Sequence, residues 1–111
     1  MMGEWKKSIE GTFWAEICIA SNYEDAVREC RAFCMEGLCV TVTPTKYVYT
    51  GGGEDGVIVR LINYPRFPKS ALEIKDTAYR LGMHLAETTH QGSFSIVDPA
   101  VTEWHSRRGE L

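Results

Sequence analysis

The apolar residues of this chain change period along its length, and that change constrains the fold more than any other feature. Phe13, Ala15, Ile17 and Ile19 alternate with Trp14, Glu16, Cys18 and Ala20, which is the period-two pattern of a half-buried strand. Ala26, Val27, Cys30, Phe33 and Cys34 then recur at spacings of three and four, the apolar stripe of a helix. Between the two runs, Ser21-Asn22-Tyr23-Glu24 has the form of a capping box, in which Ser21 and Glu24 satisfy free amide groups at the helix start. Glu24 and Arg28 stand in the favourable acid-first order for a helical ion pair. Gly37 is the expected left-handed stop.

The alternation then resumes. Leu38, Val40 and Val42 alternate with Cys39, Thr41 and Thr43, a second strand rich in β-branched residues. Pro44 bends it or places it on an edge, and Tyr47 to Thr50 continue it. Gly51-Gly52-Gly53-Glu54-Asp55-Gly56 reads as the loop of a hairpin, and Val57 to Ile62 as a third strand. Tyr64-Pro65-Arg66-Phe67-Pro68 is a stiff connector. A second capping box, Ser70-Ala71-Leu72-Glu73, opens a helix marked by Ala71, Ile74, Ala78, Leu81 and Leu85. Asp76 and Arg80 repeat the acid-first pair. Gly82 costs this helix roughly 1 kcal/mol against alanine, or else splits it. Gly92 is the expected stop, and Phe94 to Val97 form a last strand ended by Asp98-Pro99.

The order is strand, helix, strand, strand, helix, strand. This predicts an α+β domain of the ferredoxin-like β-α-β-β-α-β kind, a two-layer sandwich of two helices on one four-stranded sheet. Residues 1–11 are expected to be a flexible N-terminus, 12–98 the single domain and 99–111 a C-terminal tail or short extra element. The length of 111 residues fits one modest core.

Composition narrows the function classes. With 44% apolar and 24% charged residues the chain is built to fold. The net charge is −3, and the dense basic spots are only Lys6-Lys7 and Arg107-Arg108, so the basic stripe of a nucleic-acid binder is missing. No apolar run approaches the ~20 residues of a membrane span. The start, MMGEWKKSIEGT, has no apolar segment behind its lysines, so no secretory signal is read and a cytoplasmic setting is expected. Met1-Met2-Gly3 likewise gives no myristoylation signal. Cys18, Cys30, Cys34 and Cys39 are then reduced thiols. Cys30 and Cys34 sit one helical turn apart, without the paired spacing of a zinc site or the geometry of a disulfide. Core packing is their expected role.

Other candidate sites are sparse. His84, Glu87 and His90 are spaced by three, without the H-E-x-x-H pattern or a third ligand, and read as helix-surface residues. The glycine run lacks the lysine and hydroxyl residue of a phosphate loop, and Glu54 with Asp55 alone makes a poor cation site. No metal or cofactor is expected. The connector offers more. Arg66 precedes a capped helix start, where anions are favoured, and Tyr64 or Phe67 can stack on a ring beside it. Tyr47 and Tyr49 would add stacking surface if the hairpin folds over. Tyr64, Arg66, Phe67, Tyr47 and Tyr49 are therefore the expected ligand-binding set.

One helical layer leaves the other sheet face open. On the first strand that face carries Trp14, Glu16 and Cys18. On the third it carries Ile58, Arg60 and Ile62, or else Val57, Val59 and Leu61. An exposed patch of Trp14, Ile58, Arg60 and Ile62 is expected to be an interface, giving a homo-oligomer (a dimer or larger) paired through its sheets. The alternative is that the tail, with Val101 and Trp104, folds back over the patch.

The stretches GTFWAEICIAS, NYEDAVRECRAFCMEG and GLCVTVTPTKYVYTGGGEDGVIVRLINYPRFP resemble small accessory proteins of tailed bacteriophages, over residues 11–97. The resemblance brings no catalytic motif and no site residues. It implies a host bacterial cytoplasm during infection and a non-enzymatic counter-defence factor, one that sequesters a nucleotide-like signal or blocks a host defence protein. Two alternatives stand beside it. One is a small enzyme acting on a nucleotide or amino-acid metabolite, with His84 or His90 as its acid-base group and Arg66 in the same cleft. The other is a single-stranded nucleic-acid binder, although VIVRLI lacks the aromatic pairs and basic residues of such a strand.

Overall fold

A computed structural model of the chain describes residues 3–34 and 37–108. Its elements run β1 (Trp14–Ile19), α1 (Tyr23–Phe33), β2 (Val40–Tyr49), β3 (Gly52–Ile62), α2 (Ala71–Thr88), β4 (Ser93–Val97) and β5 (Thr102–Ser106). The fold is α+β, with the two helices packed on a five-stranded antiparallel sheet of order β2-β3-β1-β4-β5. The first six elements follow the order read from the sequence. The fifth strand does not: residues assigned to a C-terminal tail pair with β4, Val97 opposite Thr102 and Ser95 opposite Trp104. The sheet therefore has five strands where the expected ferredoxin-like sandwich has four. Asp98 makes the turn that permits this, because its Oδ1 accepts the backbone N–H of Ala100 at 2.8 Å and of Val101 at 2.9 Å.

The core lies between helices and sheet. Ala15, Ile17 and Ile19 of β1, Val57, Val59 and Leu61 of β3, and Phe94 and Ile96 of β4 face Ala26 and Cys30 of α1 and Ile74, Ala78, Leu81 and Leu85 of α2. Every second residue of β1, of β4 and of β3 from Val57 to Leu61 is buried, so their register is strongly specified: a slip of one residue would turn the whole set to water. β2 is an edge strand, and Pro44 sits in it without breaking it, as a residue without an N–H can where no further strand pairs.

Local signals were mostly placed well, with four corrections. The second capping box forms as spaced, Ser70 Oγ accepting Glu73 N–H at 3.1 Å and Glu73 Oε1 accepting Ser70 N–H at 3.0 Å. In the first, the cap is Asn22, whose Oδ1 accepts the N–H of Glu24 and Asp25. Ser21 is instead fully buried and bonded to the Thr89 hydroxyl at 2.6 Å. Arg28 pairs with Asp25 at 2.9 Å and Glu29 at 3.2 Å rather than Glu24. The glycine run is mostly strand: the turn is at Thr50-Gly51, with Gly51 at φ 82°, and Gly52 to Gly56 belong to β3. Finally, α2 runs unbroken through Gly82 and stops before Gly92. Its C-cap is Thr89, followed by left-handed His90 at φ 58°, with Gln91 N–H reaching back to the Ala86 carbonyl at 2.8 Å, the six-to-one bond of a left-handed helix end.

Candidate functional site

The helices cover one side of the sheet, so chemistry has room on the other. The register settles which residues lie there. Trp14 is paired with Ile62, Glu16 with Arg60 and Cys18 with Ile58, while Val57, Val59 and Leu61 are in the core. Arg60 donates to Glu16 Oε2 at 3.3 Å and lies 5.0 Å over the Trp14 ring. The strand β5 does not fold back over this face but lengthens it, and Trp104 joins it beside Ser95.

At the β4–β5 end of the open face is a cleft of about 180 Å³, lined among others by Cys18, Tyr47, Glu54, Ser95, Trp104 and Arg108. Its Tyr47 wall exists because residue 56 is glycine. A Cβ on Gly56 would lie 2.5 Å from Tyr47 Cε2 and 2.6 Å from the Ile19 carbonyl oxygen. With no Cβ there, the ring reaches across the hairpin and its hydroxyl donates to the Val57 carbonyl at 2.6 Å. Burial, aided by the neighbouring Cys18, pushes the Tyr47 hydroxyl well above the usual tyrosine value. Burial also raises the Cys18 thiol, partly offset by the neighbouring Tyr47 hydroxyl. Both therefore keep their protons at neutral pH, so Cys18 is no thiolate nucleophile and Tyr47 no phenolate base. What the cleft does offer is two aromatic rings, a carboxylate, a guanidinium and a hydroxyl. That set suits a flat ring with polar substituents.

The sequence-derived ligand set is divided by the structure. Tyr47 lines this cleft, and Tyr49 lies near it at the tip of the β2–β3 hairpin, half exposed. Tyr64, Arg66 and Phe67 are at the opposite end of the hairpin, beyond Ile62. The hairpin does not fold over, and the five residues form no single site. The connector is closed by its own bonds. Buried Asn63 donates to the Gly11 carbonyl at 2.8 Å and accepts Lys69 N–H at 2.7 Å, while Phe67 N–H reaches the Tyr64 carbonyl at 2.9 Å. Arg66 lies 5.6 Å over Phe67, and the space beneath Tyr64 and Phe67 is only about 10 Å³. Glu73 already occupies the helix start, its carboxyl held below the usual range by the Ser70 backbone N–H.

The histidines do not gather either. His84 bridges the helices, Nε2 to Glu29 Oε1 at 3.0 Å. His90 is the helix corner described above, and His105 stacks on Phe94 at 5.0 Å between ring centres. Arg66 precedes the start of α2 while His84 and His90 lie at its far end, so the shared cleft that the enzyme alternative requires does not form. Burial raises the Cys30 thiol to about 12, in keeping with core packing. Among the described residues, no group of three His, Cys, Asp or Glu side chains is arranged to hold a metal ion, and no helix is long and apolar enough to cross a membrane. Sequence reasoning missed Cys18, Ser95, Trp104 and Arg108 as site residues and set Glu54 aside. The one available signal was the alternation of Glu103 and His105 about Trp104 behind an Asp-Pro turn, which marks a further strand.

Neither a family model nor a curated protein sequence matches the chain. Solved structures do match. A phage SAM (S-adenosylmethionine) lyase in complex with S-methyl-5'-thioadenosine superposes with a TM-score of 0.71 at 15% identity, covering 98% of this chain and 100% of that one. A phage SAM lyase in the apo state gives 0.70 at 22% identity, covering 97% and 98%. Both are phage proteins, in agreement with the resemblance to phage accessory proteins. Both are also enzymes. That finding overturns the expectation of a non-enzymatic counter-defence factor.

Proposed function

We propose that this chain is a lyase acting on S-adenosylmethionine, with the cleft around Tyr47, Glu54 and Trp104 as its nucleoside site. The observation that carries the reading is the full-length likeness to two SAM lyases, one of them holding S-methyl-5'-thioadenosine. The cleft's chemistry supports it. The aromatic faces of Tyr47 and Trp104 suit an adenine ring and a sulfonium, and Glu54 supplies the opposite charge.

The reaction asks little of side-chain reactivity. S-methyl-5'-thioadenosine is S-adenosylmethionine without its four-carbon amino-acid arm. The carbon–sulfur bond to that arm breaks, and its electron pair returns to sulfur, which loses its charge. The arm leaves by closing its own carboxylate onto the carbon that held the sulfur, with no water consumed and no proton abstracted. A sulfonium is already a good leaving group. Orientation of the arm is then the main requirement, in keeping with a cleft whose thiol and phenol both hold their protons.

Incubation with S-adenosylmethionine alone tests this. S-methyl-5'-thioadenosine should accumulate in molar excess over protein, measured by liquid chromatography and mass spectrometry against a boiled-protein control. No excess over that control would reject the assignment.

We further propose that Trp14, Ile58, Arg60 and Ile62 form a contact between copies of the chain. The support is an uncovered sheet face bearing a tryptophan and two isoleucines beside the cleft. Non-denaturing mass spectrometry should show a dimer or larger assembly, and Ile58→Asp should shift it to monomer. A wild-type monomer at micromolar concentration would exclude the contact.

A further inference from the structure

The strand β5 has two faces with different duties. Trp104 points to the open face and lines the cleft. Its neighbours Glu103 and His105 point to the helix side. There Lys75 of α2 bridges two carboxylates, Nζ lying 2.8 Å from Glu103 Oε2 and 3.1 Å from Asp98 Oδ2. The second Glu103 oxygen meets His105 Nε2 at 3.0 Å, and His105 is stacked on Phe94 with Tyr79 5.1 Å away. Asp98 meanwhile holds the turn between β4 and β5 through Ala100 and Val101. One ammonium thus ties both the turn and the strand to the long helix.

The charges respond as a mutually supporting set. Glu103 and then Asp98 raise the Lys75 ammonium above its ordinary value. The Val101 and Ala100 backbone N–H groups, then Lys75, lower the Asp98 carboxyl. Lys75 and then His105 lower that of Glu103. A strand of five residues at the sheet edge, paired only with β4, needs such an anchor, because short edge strands are weakly held by their ladder alone.

We propose that Lys75 is a positioning residue for the cleft: through Glu103 and Asp98 it fixes β5 and so sets Trp104 at the nucleoside site. This rests on the reading of the cleft given above. Lys75 itself stands on the helix side of the sheet and does not line the cleft.

The test uses the full chain with Trp5→Phe and Trp14→Phe, which leaves Trp104 as the single tryptophan of three. In this background Lys75→Met should red-shift Trp104 emission and increase its quenching by iodide. It should also weaken binding of S-methyl-5'-thioadenosine about fivefold, the scale of one lost partly exposed ion-pair network. Lys75→Arg, which keeps both ion pairs within reach, should restore emission and affinity. Trp104 emission and quenching unchanged in Lys75→Met would overturn the proposal. If Lys75→Met fails to fold by circular dichroism, Glu103→Gln decides by the same two readouts. If the parent binds no S-methyl-5'-thioadenosine, the function proposed above fails, while the Trp104 spectra still decide whether Lys75 sets the position of β5.

Discussion

Replacing Gly82 by valine should destabilise the protein by about 3 kcal/mol, the upper range for an overpacked core. Helix propensity alone predicts the opposite sign, because glycine in a helix interior is worse than alanine by about 1 kcal/mol and somewhat worse than valine. Packing decides. Gly82 is buried in the middle of α2, on the face that meets β4. A Cβ there would collide with the Phe94 ring, meeting Cδ2 at 2.8 Å and Cζ at 3.0 Å as well as Cε2. Phe94 is 4% exposed and stacked on His105, so moving the ring aside breaks that stack. Valine adds two methyl groups beyond that Cβ. Alanine should fall between, its clash partly offset by its propensity gain, at about 1–2 kcal/mol. Urea denaturation measures both. Phe94→Leu should recover part of the loss in the Gly82→Val background while destabilising the wild type. A Gly82→Ala protein more stable than wild type would show that the helix does not approach β4 this closely.

The same glycine shows where the sequence was legible. Its place inside a strong apolar stripe placed the helix correctly, and the period-two runs placed β1 and β4 with their buried faces, whereas β3, apolar on both sides, took its face only from its pairing with β1. Those signals rest on burial, which every second strand residue and every third or fourth helix residue reports. Signals resting on a partner distant in sequence were misread. Ser21 looks like a cap, yet it is buried against Thr89, sixty-eight residues away. The run Gly52 to Gly56 looks like a loop, yet it is strand, with Gly56 small so that Tyr47 can cross it. β5 carries a mixed pattern, Thr-Glu-Trp-His-Ser, because each of its faces meets a polar partner: Lys75 on one side, the cleft on the other. The cleft was illegible for the same reason. Cys18, Tyr47, Glu54, Ser95 and Trp104 come from five different strands, and only the sheet order brings them together. No local motif can encode that arrangement, and His84 and His90, which invite a catalytic reading on the page, are engaged in joining and ending helices.

Trp104→Ala should weaken binding of S-adenosylmethionine and of S-methyl-5'-thioadenosine alike, by about tenfold to a hundredfold. That is the range for losing one aromatic platform under a base, about 1–3 kcal/mol. The two ligands share the adenine ring, and Trp104, 43% exposed, lines the cleft. Glu54→Gln should behave differently. It removes a charge and keeps the side-chain size, so it acts on the ligand that carries a sulfonium and spares the neutral thioether. The expected loss for S-adenosylmethionine is about fivefold, since an exposed charge pair is worth about 1 kcal/mol or less, with little change for S-methyl-5'-thioadenosine. The contrast separates stacking from charge recognition within one cleft. Isothermal titration of both variants with S-methyl-5'-thioadenosine measures one arm, and initial rates at varied S-adenosylmethionine measure the other. If Trp104→Ala leaves both ligands unaffected, the nucleoside binds elsewhere on the molecule. If Glu54→Gln weakens both equally, its carboxylate meets the ribose or the adenine rather than the sulfonium, and selection of the charged substrate over its product must come from the aromatic faces.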